Sequence, residues 1–276
     1  MAGKLYIVGT PIGNLGDISP RALEVLEKVD FIAAEDTRVT LKLLNHFEIK
    51  NELVSYFEHN KNEKGDFIIK RLLSGENVAL VSDAGMPAIS DPGEDLVRLA
   101  QQNGVSVESV PGPSAFVTAL SISGMSARRF CFEGFLSVNK AERKAQLSEL
   151  KNERRTMIFY EAPHKLKTTI KDFIDTFGGD RTVTIVKEIT KLHETVFKTT
   201  LTDALDYYEQ NPPKGEFVII VEGKSDTEQK EEEYTIENAV NLAQKLMKEG
   251  LSAASAAKQA AEITGKRKNE IYRQLI

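Results

Sequence analysis

Three loops hold the residues of this sequence best suited to bind or transform a small charged molecule. Gly9-Thr10-Pro11-Ile12-Gly13-Asn14 directly follows a short β-branched run. It lacks the Gly-Lys-Ser/Thr of a phosphate-binding loop and the third glycine of the dinucleotide fingerprint, and Ser19 opens the next helix too late for either. What remains is a glycine-proline turn that brings bare backbone up to a ligand, or an ordinary tight turn. The second loop, Ser82 to Gly93, is a long stretch of small residues between a buried strand and a helix, a length that favours function. Its carboxylates Asp83, Asp91 and Glu94 suggest a metal, but Asp91-Pro92-Gly93-Glu94 reads more simply as a capping box. Asp83 is left to accept hydrogen bonds from a ligand. The third loop, Val110-Pro111-Gly112-Pro113-Ser114-Ala115, ends in a serine that caps the next helix or faces the ligand, and that helix start offers N–H groups to a carboxylate.

Loops of this kind matter because ligands of open α/β sheets bind beyond the carboxyl ends of the strands. The first 112 residues supply the strands: Lys4 to Gly9, Phe31 to Ala34, Val78 to Ser82 and Val105 to Val110 read as strands buried on both faces. Helical patterns lie between them at Pro20 to Val29, Thr37 to Phe47, Phe67 to Leu73 and Glu94 to Gln102, the signature of a mostly parallel sheet with helical crossovers. Ser19-Pro20 is a capping hydroxyl followed by a proline at the first helical position. From Ser114 the alternation resumes, with strands near Phe130 to Glu133, Thr156 to Tyr160, Thr182 to Glu188, Thr195 to Lys198 and Glu216 to Glu222. Helices are expected from Ser114, from Ala141 to Leu150 and from His164. The expected division is an α/β domain over 1–112, a second over 113–223, a charged linker over 224–234 and a helical module over 235–276, whose helices fall at Ile236 to Lys248, Ala253 to Ile263 and Lys268 to Ile276.

Composition narrows the function classes. With 276 residues, 41% hydrophobic and 28% charged, the chain has an ordinary globular balance and no window apolar enough for a membrane span. The start runs straight from Met1 into a strand-like Tyr6-Ile7-Val8, unlike a signal peptide, so a cytoplasmic location is expected. The single cysteine, Cys131, excludes an intrachain disulfide and a multi-cysteine zinc site and reads as a small buried hydrophobe. The four histidines form no ligand pair, so no metal is expected. A net charge of -5 is not that of a protein coating nucleic acid, so RNA would have to be held by local basic patches such as Arg128-Arg129, Lys140 to Lys144, Arg154-Arg155 and Lys266 to Lys268.

Taken jointly, Tyr6 to Ile18, Ala34 to Thr40, Val81 to Gly93, Val110 to Ala115, Phe159 to Leu166, Lys187 to Thr195 and Lys214 to Gly223 resemble the tetrapyrrole-methylase superfamily of S-adenosylmethionine-dependent enzymes. Within it they are most similar to the branch that methylates small-subunit ribosomal RNA. The resemblance implies two α/β domains with the cofactor in the cleft between them, a small C-terminal helical module, and a homodimer. It implies S-adenosylmethionine contacts at Pro11 and Ile12, at Asp83, Gly85 and Met86, and at Ser114 and Ala115. From the second domain it implies Tyr160, Glu161, Gly215 and Glu216. The implied reaction is attack of a cytidine ribose 2′-hydroxyl, in 16S RNA or the assembled small subunit, on the sulfonium methyl.

Because that hydroxyl is a weak acid, a base and orienting groups are needed. Asp36 and Glu188 are the leading candidates for the base, with Glu35 and His59 behind them, and Arg38 and Lys187 would orient phosphate or ribose oxygens. The structural alternatives are a helix cap for Asp36 and a solvent-exposed strand end for Lys187-Glu188. Two rivals stay open: a small-molecule methyltransferase of the same fold acting on a tetrapyrrole, and a module that binds the cofactor or a nucleotide without turnover. Gly265 followed by Lys266-Arg267-Lys268 and a last helix reads either as a small helix-turn-helix that contacts RNA phosphates or as a packed bundle with solvated charges.

Overall fold

The computed structural model describes residues 1–225 and 235–275. The first sheet contains β1 (Lys4–Val8), β2 (Phe31–Ala34), β3 (Leu53–Ser55), β4 (Val78–Val81) and β5 (Ser106–Val110), in the order β3-β2-β4-β1-β5 and parallel throughout. Parallel neighbours require crossovers, and α1 (Pro20–Lys28), α2 (Thr37–His46), α3 (Lys61–Leu73) and α4 (Glu94–Gln102) supply them. Ser19 caps α1 through the Ala22 N–H, with Pro20 in the first turn. Two apolar layers sandwich the sheet: Leu5, Phe31, Leu72 and Leu80 on one face, and Val8, Leu26, Ile32 and Val81 on the other.

The second sheet contains β6 (Phe130–Phe135), β7 (Thr156–Glu161), β8 (Thr182–Lys187), β9 (Thr195–Thr200) and β10 (Phe217–Val221), in the order β6-β7-β10-β8-β9. Only the β6/β7 pair is parallel. β7, β8 and β10 alternate strictly. Met157, Phe159, Val183, Ile185, Phe217 and Ile219 pack beneath α6 (Lys140–Leu150), α7 (Leu166–Phe177) and α8 (Leu201–Gln210). The opposite face, Ile158, Val186, Val218 and Ile220, packs on Ala119 and Leu120 of α5 (Ala115–Ile122) and on Ile12 of the first loop. Through Ile12 that layer ties the first loop to the second sheet.

Beyond residue 235, α9 (Ile236–Lys248), α10 (Ala253–Thr264) and α11 (Lys268–Leu275) close around Ala239, Ala243, Ala256, Ala260 and Ile271. Gly265, at φ 72°, ends α10 in the left-handed conformation that a glycine adopts without penalty.

Several expectations change. β5 is an edge strand with only Val110 buried, not a strand covered on both faces. α3 begins at Lys61, before the apolar pattern that starts at Phe67, because its first turns are polar and solvated. α7 begins at Leu166 and not at His164. β3 and α8 were not anticipated from the sequence: β3 is three residues long, and α8 is read only once Thr200 is recognised as its cap, accepting from the Asp203 N–H. The charged linker does not open at 224, since Lys224 is buried, its N–H donating to Glu153 O at 2.7 Å and its ammonium to Asn152 Oδ1 at 3.0 Å. Residues 226–234 of that linker lie outside the described residues. Among the described residues no helix is long and apolar enough to cross a membrane.

Candidate active site

Strand order explains where the site lies. β4, β1 and β5 are neighbours, so the loops that follow them stand side by side at one edge of the first sheet. They are fastened to one another through backbone. Thr10 and Gly85 exchange two hydrogen bonds, at 2.9 and 3.1 Å, and the Gly9 N–H donates to Val110 O at 3.1 Å. Gly9 and Gly112 meet backbone to backbone, and a Cβ on Gly112 would stand 2.8 Å from the Gly9 Cα. Both glycines are therefore required by the junction of the first and third loops.

The second sheet turns one edge toward these loops. The antiparallel pairing puts Glu161 opposite Phe217 and Lys187 opposite Phe217, so the ends of β7 and β8 and the start of β10 lie together. Between the two walls is a cleft of about 470 Å³. Ile12, Asp83, Gly85, Met86, Ser114 and Ala115 line it from the first side, and Tyr160, Glu161 and Glu216 from the second. Pro11 and Gly215 do not line it. Gly215 (φ 87°) instead seats the Glu188 carboxylate, which lies 2.5 Å from where a Cβ would be.

The charged groups divide sharply. Glu35, Asp83, Asp91, Glu161 and Glu216 line the cleft, and among the described residues no lysine or arginine does. Asp83 Oδ1 accepts the Asp36 N–H at 3.0 Å, and the Asp83 N–H donates to Glu35 Oε2 at 3.3 Å. Burial raises the pKa of both Glu35 and Asp83 above the ordinary carboxylate value. Glu161 is buried and already occupied by its partners, the Ala162 N–H at 2.8 Å and the Thr169 hydroxyl. Ser114 forms no side-chain cap on α5. Of the first-turn N–H groups of α5, that of Phe116 donates to the Tyr160 hydroxyl at 3.1 Å.

The residues expected to remove the proton lie elsewhere. Asp36 caps α2 through the Arg38 N–H, and the Arg38 guanidinium folds back onto it, holding its carboxyl at about 2. Both sit outside the cleft. Glu188, at φ 52°, locks the end of β8 to the start of β10: its N–H donates to Glu216 O, and its Oε1 accepts the Glu216 N–H at 2.9 Å and the Lys191 ammonium at 3.1 Å. The Glu216 N–H, then Lys191, hold its pKa below the usual range. Lys187 ends β8 half-buried and also off the cleft, while His59 stacks edge-on against Phe57.

Two of the cleft residues that sequence reasoning passed over have side chains suited to chemistry or stacking, Asp91 and Phe135. Gly93, not Asp91, is the N-cap of α4, with no side-chain capping bond. The expected capping box does not form because Gly93 at φ 145° packs against Leu80 and Ala88, which turns Asp91 into the cleft. Phe135 is the other. A bulge between Phe132 and Gly134, with Gly134 at φ 63°, re-aims the end of β6 so that the Phe135 ring reaches the cleft mouth, 57% exposed and edge-on to Tyr160 at 5.5 Å. The Glu-Gly pair at 133–134 was the available signal.

Residues 4–205 match the model of the tetrapyrrole (corrin/porphyrin) methylases. A ribosomal RNA small subunit methyltransferase I of Synechocystis sp. is 44% identical over 270 residues, covering 98% of this chain and 96% of its own. The protein of the same description from Pseudomonas aeruginosa is 46% identical, over 100% of this chain and 97% of its own. Among solved structures, uroporphyrin-III-C-methyltransferase from Thermus thermophilus superposes with a TM-score of 0.57 at 22% identity, covering 79% of this chain and 94% of that one. A diphthine synthase superposes with a TM-score of 0.62 at 17% identity, over 81% and 91%. These two likenesses speak for the fold.

Proposed function

The chain belongs to the tetrapyrrole methylase family, and on that premise we propose that it transfers a methyl group from S-adenosylmethionine to the ribose 2′-hydroxyl of a cytidine in small-subunit ribosomal RNA. It is a methyltransferase by its relatives. The ribose target, the cofactor, a cytoplasmic location and a homodimer are this reading's further content.

The observation that carries the reading is the charge of the cleft: among the described residues its ionisable lining is five carboxylates and Tyr160, with no cationic side chain. Such a lining favours a cation over an anion of the same size, as a sulfonium requires. The volume of about 470 Å³ suits a ligand of nucleoside size. The start of α5 behind Ser114 and Ala115 would hold the carboxylate of the cofactor's amino-acid moiety, and Asp83 its hydroxyl groups. Ile12, Met86, Val186 and Ile189 give the apolar surface for its adenine ring and the carbons beside its sulfonium. Bound there, the cofactor supplies an electrophilic methyl group.

The chain's own residues have three tasks: to exclude water, to present one ribose oxygen in line, and to remove its proton. Phe135 at the mouth offers a ring face on which the base of a splayed nucleotide stacks, which brings the ribose inward. Basic residues away from the cleft, Arg267 and Lys268 at the start of α11 among them, hold the phosphates. The test is mass spectrometry of small-subunit RNA fragments from cells with and without the gene. The reading expects one ribose methyl to disappear; identical RNA from the two strains overturns it. Light scattering on the purified protein checks the homodimer.

A further inference from the structure

Asp91 lies within one of the segments that carry the family resemblance but received no site role from it, and the capping bond expected of it does not form. Its carboxylate faces the cleft, where each of the five carboxylates has a partner within the protein. Glu161 holds the Ala162 N–H and the Thr169 hydroxyl, and Glu216 pairs with Lys191 at 2.7 Å. Asp83 holds the Asp36 N–H, and Glu35 the Asp83 N–H. Asp91 has the Ser82 hydroxyl beside it, whose other acceptor, Ala84 O, is at a long 3.4 Å. The backbone that carries it is strained: Ala88 and Ser90 have φ of 67° and 64°, the left-handed region that non-glycine residues avoid. Ile89 and Ser90 of that segment line the cleft beside Asp91.

The geometry points to Asp91 as the base that accepts the proton of the attacking ribose 2′-hydroxyl, an inference that rests on the function proposed above. The ribose oxygen bonds to the methyl carbon as the carbon–sulfur bond breaks. The bonding pair goes to sulfur, which becomes a neutral thioether. The hydroxyl proton passes to the Asp91 carboxylate, which later releases it to water. The groups that face Asp91 are Glu35 at the end of β2, Asp83 and Ser82 after β4, and Tyr160 at the end of β7, so among the described residues no cation competes for its charge. Burial, with repulsion from Glu35 and Asp83, pushes Asp91 up to about 6. It is thus ionised at neutral pH and a better proton acceptor than an ordinary aspartate.

The variant Asp91→Asn tests this in three readouts on the full-length protein: cofactor affinity by calorimetry, methyl transfer to small subunits lacking the modification, and carboxyl titration by carbon NMR without cofactor. The expected result is a cofactor Kd only a few-fold weaker than wild type, as one of five carboxylates is lost, a rate lower by about 10²-fold or more, and loss of a titration near pH 6 that is present in the wild type. The wild-type rate falls as pH drops through that value, because the base becomes protonated, and the residual rate of the variant lacks this limb. Asp91→Glu, which keeps the acid and lengthens its reach, recovers part of the rate. A variant within a few-fold of wild type, one that keeps the acidic limb, or one that loses cofactor binding overturns the assignment. A wild-type protein inactive on the small subunit sinks the ribose reading itself and the base with it, whereas an active wild type with an active Asp91→Asn sinks only the base.

Discussion

Glu188 and Asp91 show how a residue's role follows from its bonds more than from its type. Both are carboxylates at the ends of strand-loop junctions, but Glu188 is held by an N–H and an ammonium while Asp91 is turned into a cleft without cations among the described residues. Sequence placed them the other way round, since the Ser-Asp-Pro-Gly-Glu pattern reads as a cap unless the φ of Gly93 is known. The pH behaviour of Glu188 follows from its lowered pKa: its contribution is present above the ordinary glutamate range and is lost as pH falls through its folded value. Replacing it, Glu188→Ala, should lower stability at pH 7 by about 1–2 kcal/mol, and the difference from wild type should close in acid; denaturant titrations at both pH values check this. Phe135 has a different readout. Phe135→Ala should weaken RNA binding by about 10-fold and leave cofactor affinity unchanged, while Phe135→Tyr retains binding. A fall in cofactor affinity instead would place the ring in the cofactor site.

Elements were easier to read than side chains, and for a physical reason. Continuous β-branched runs such as Phe31–Ala34 and Val78–Val81 have one stable use, as strands inside a parallel sheet, so they were legible from pattern alone. The three-residue β3 and the polar first turns of α3 carry no periodic signal and were not. The order β3-β2-β4-β1-β5 was likewise invisible, and it is what brings the three loops into one row. Their junction depends on two glycines that touch. Gly112→Ala forces a methyl to within 2.8 Å of Gly9 backbone atoms, so the loops must separate. The expected cost is about 1–3 kcal/mol of stability, with cofactor affinity reduced at least about 10-fold, a change calorimetry reads directly. An unaltered affinity would mean that the junction does not shape the site.

Across the entire chain, the second sheet, α5 and Ile12 of the first loop share one apolar layer, and the cleft lies between the loops of the first sheet and one edge of the second. Net charge gave no hint of this division between a negatively lined cleft and basic patches elsewhere, because it sums over both. The helical module beyond residue 235 presents Arg267, 87% exposed at its side chain, and Lys268 at the start of α11. Charge reversal at both positions should weaken binding to small-subunit RNA and make the logarithmic salt dependence of affinity shallower by about one for each phosphate no longer neutralised. Unchanged binding would leave these residues as solvated charges on a packed bundle.

For the proposed chemistry to hold, the cleft must bring a sulfonium methyl and one ribose oxygen together. Small subunits purified from cells lacking the gene probe this without an intermediary: they are incubated with the full-length protein and isotopically labelled S-adenosylmethionine, then digested to nucleosides. Label on the ribose of a single cytidine is the expected outcome. Label on a base, or RNA that remains unlabelled, would refute the proposed chemistry.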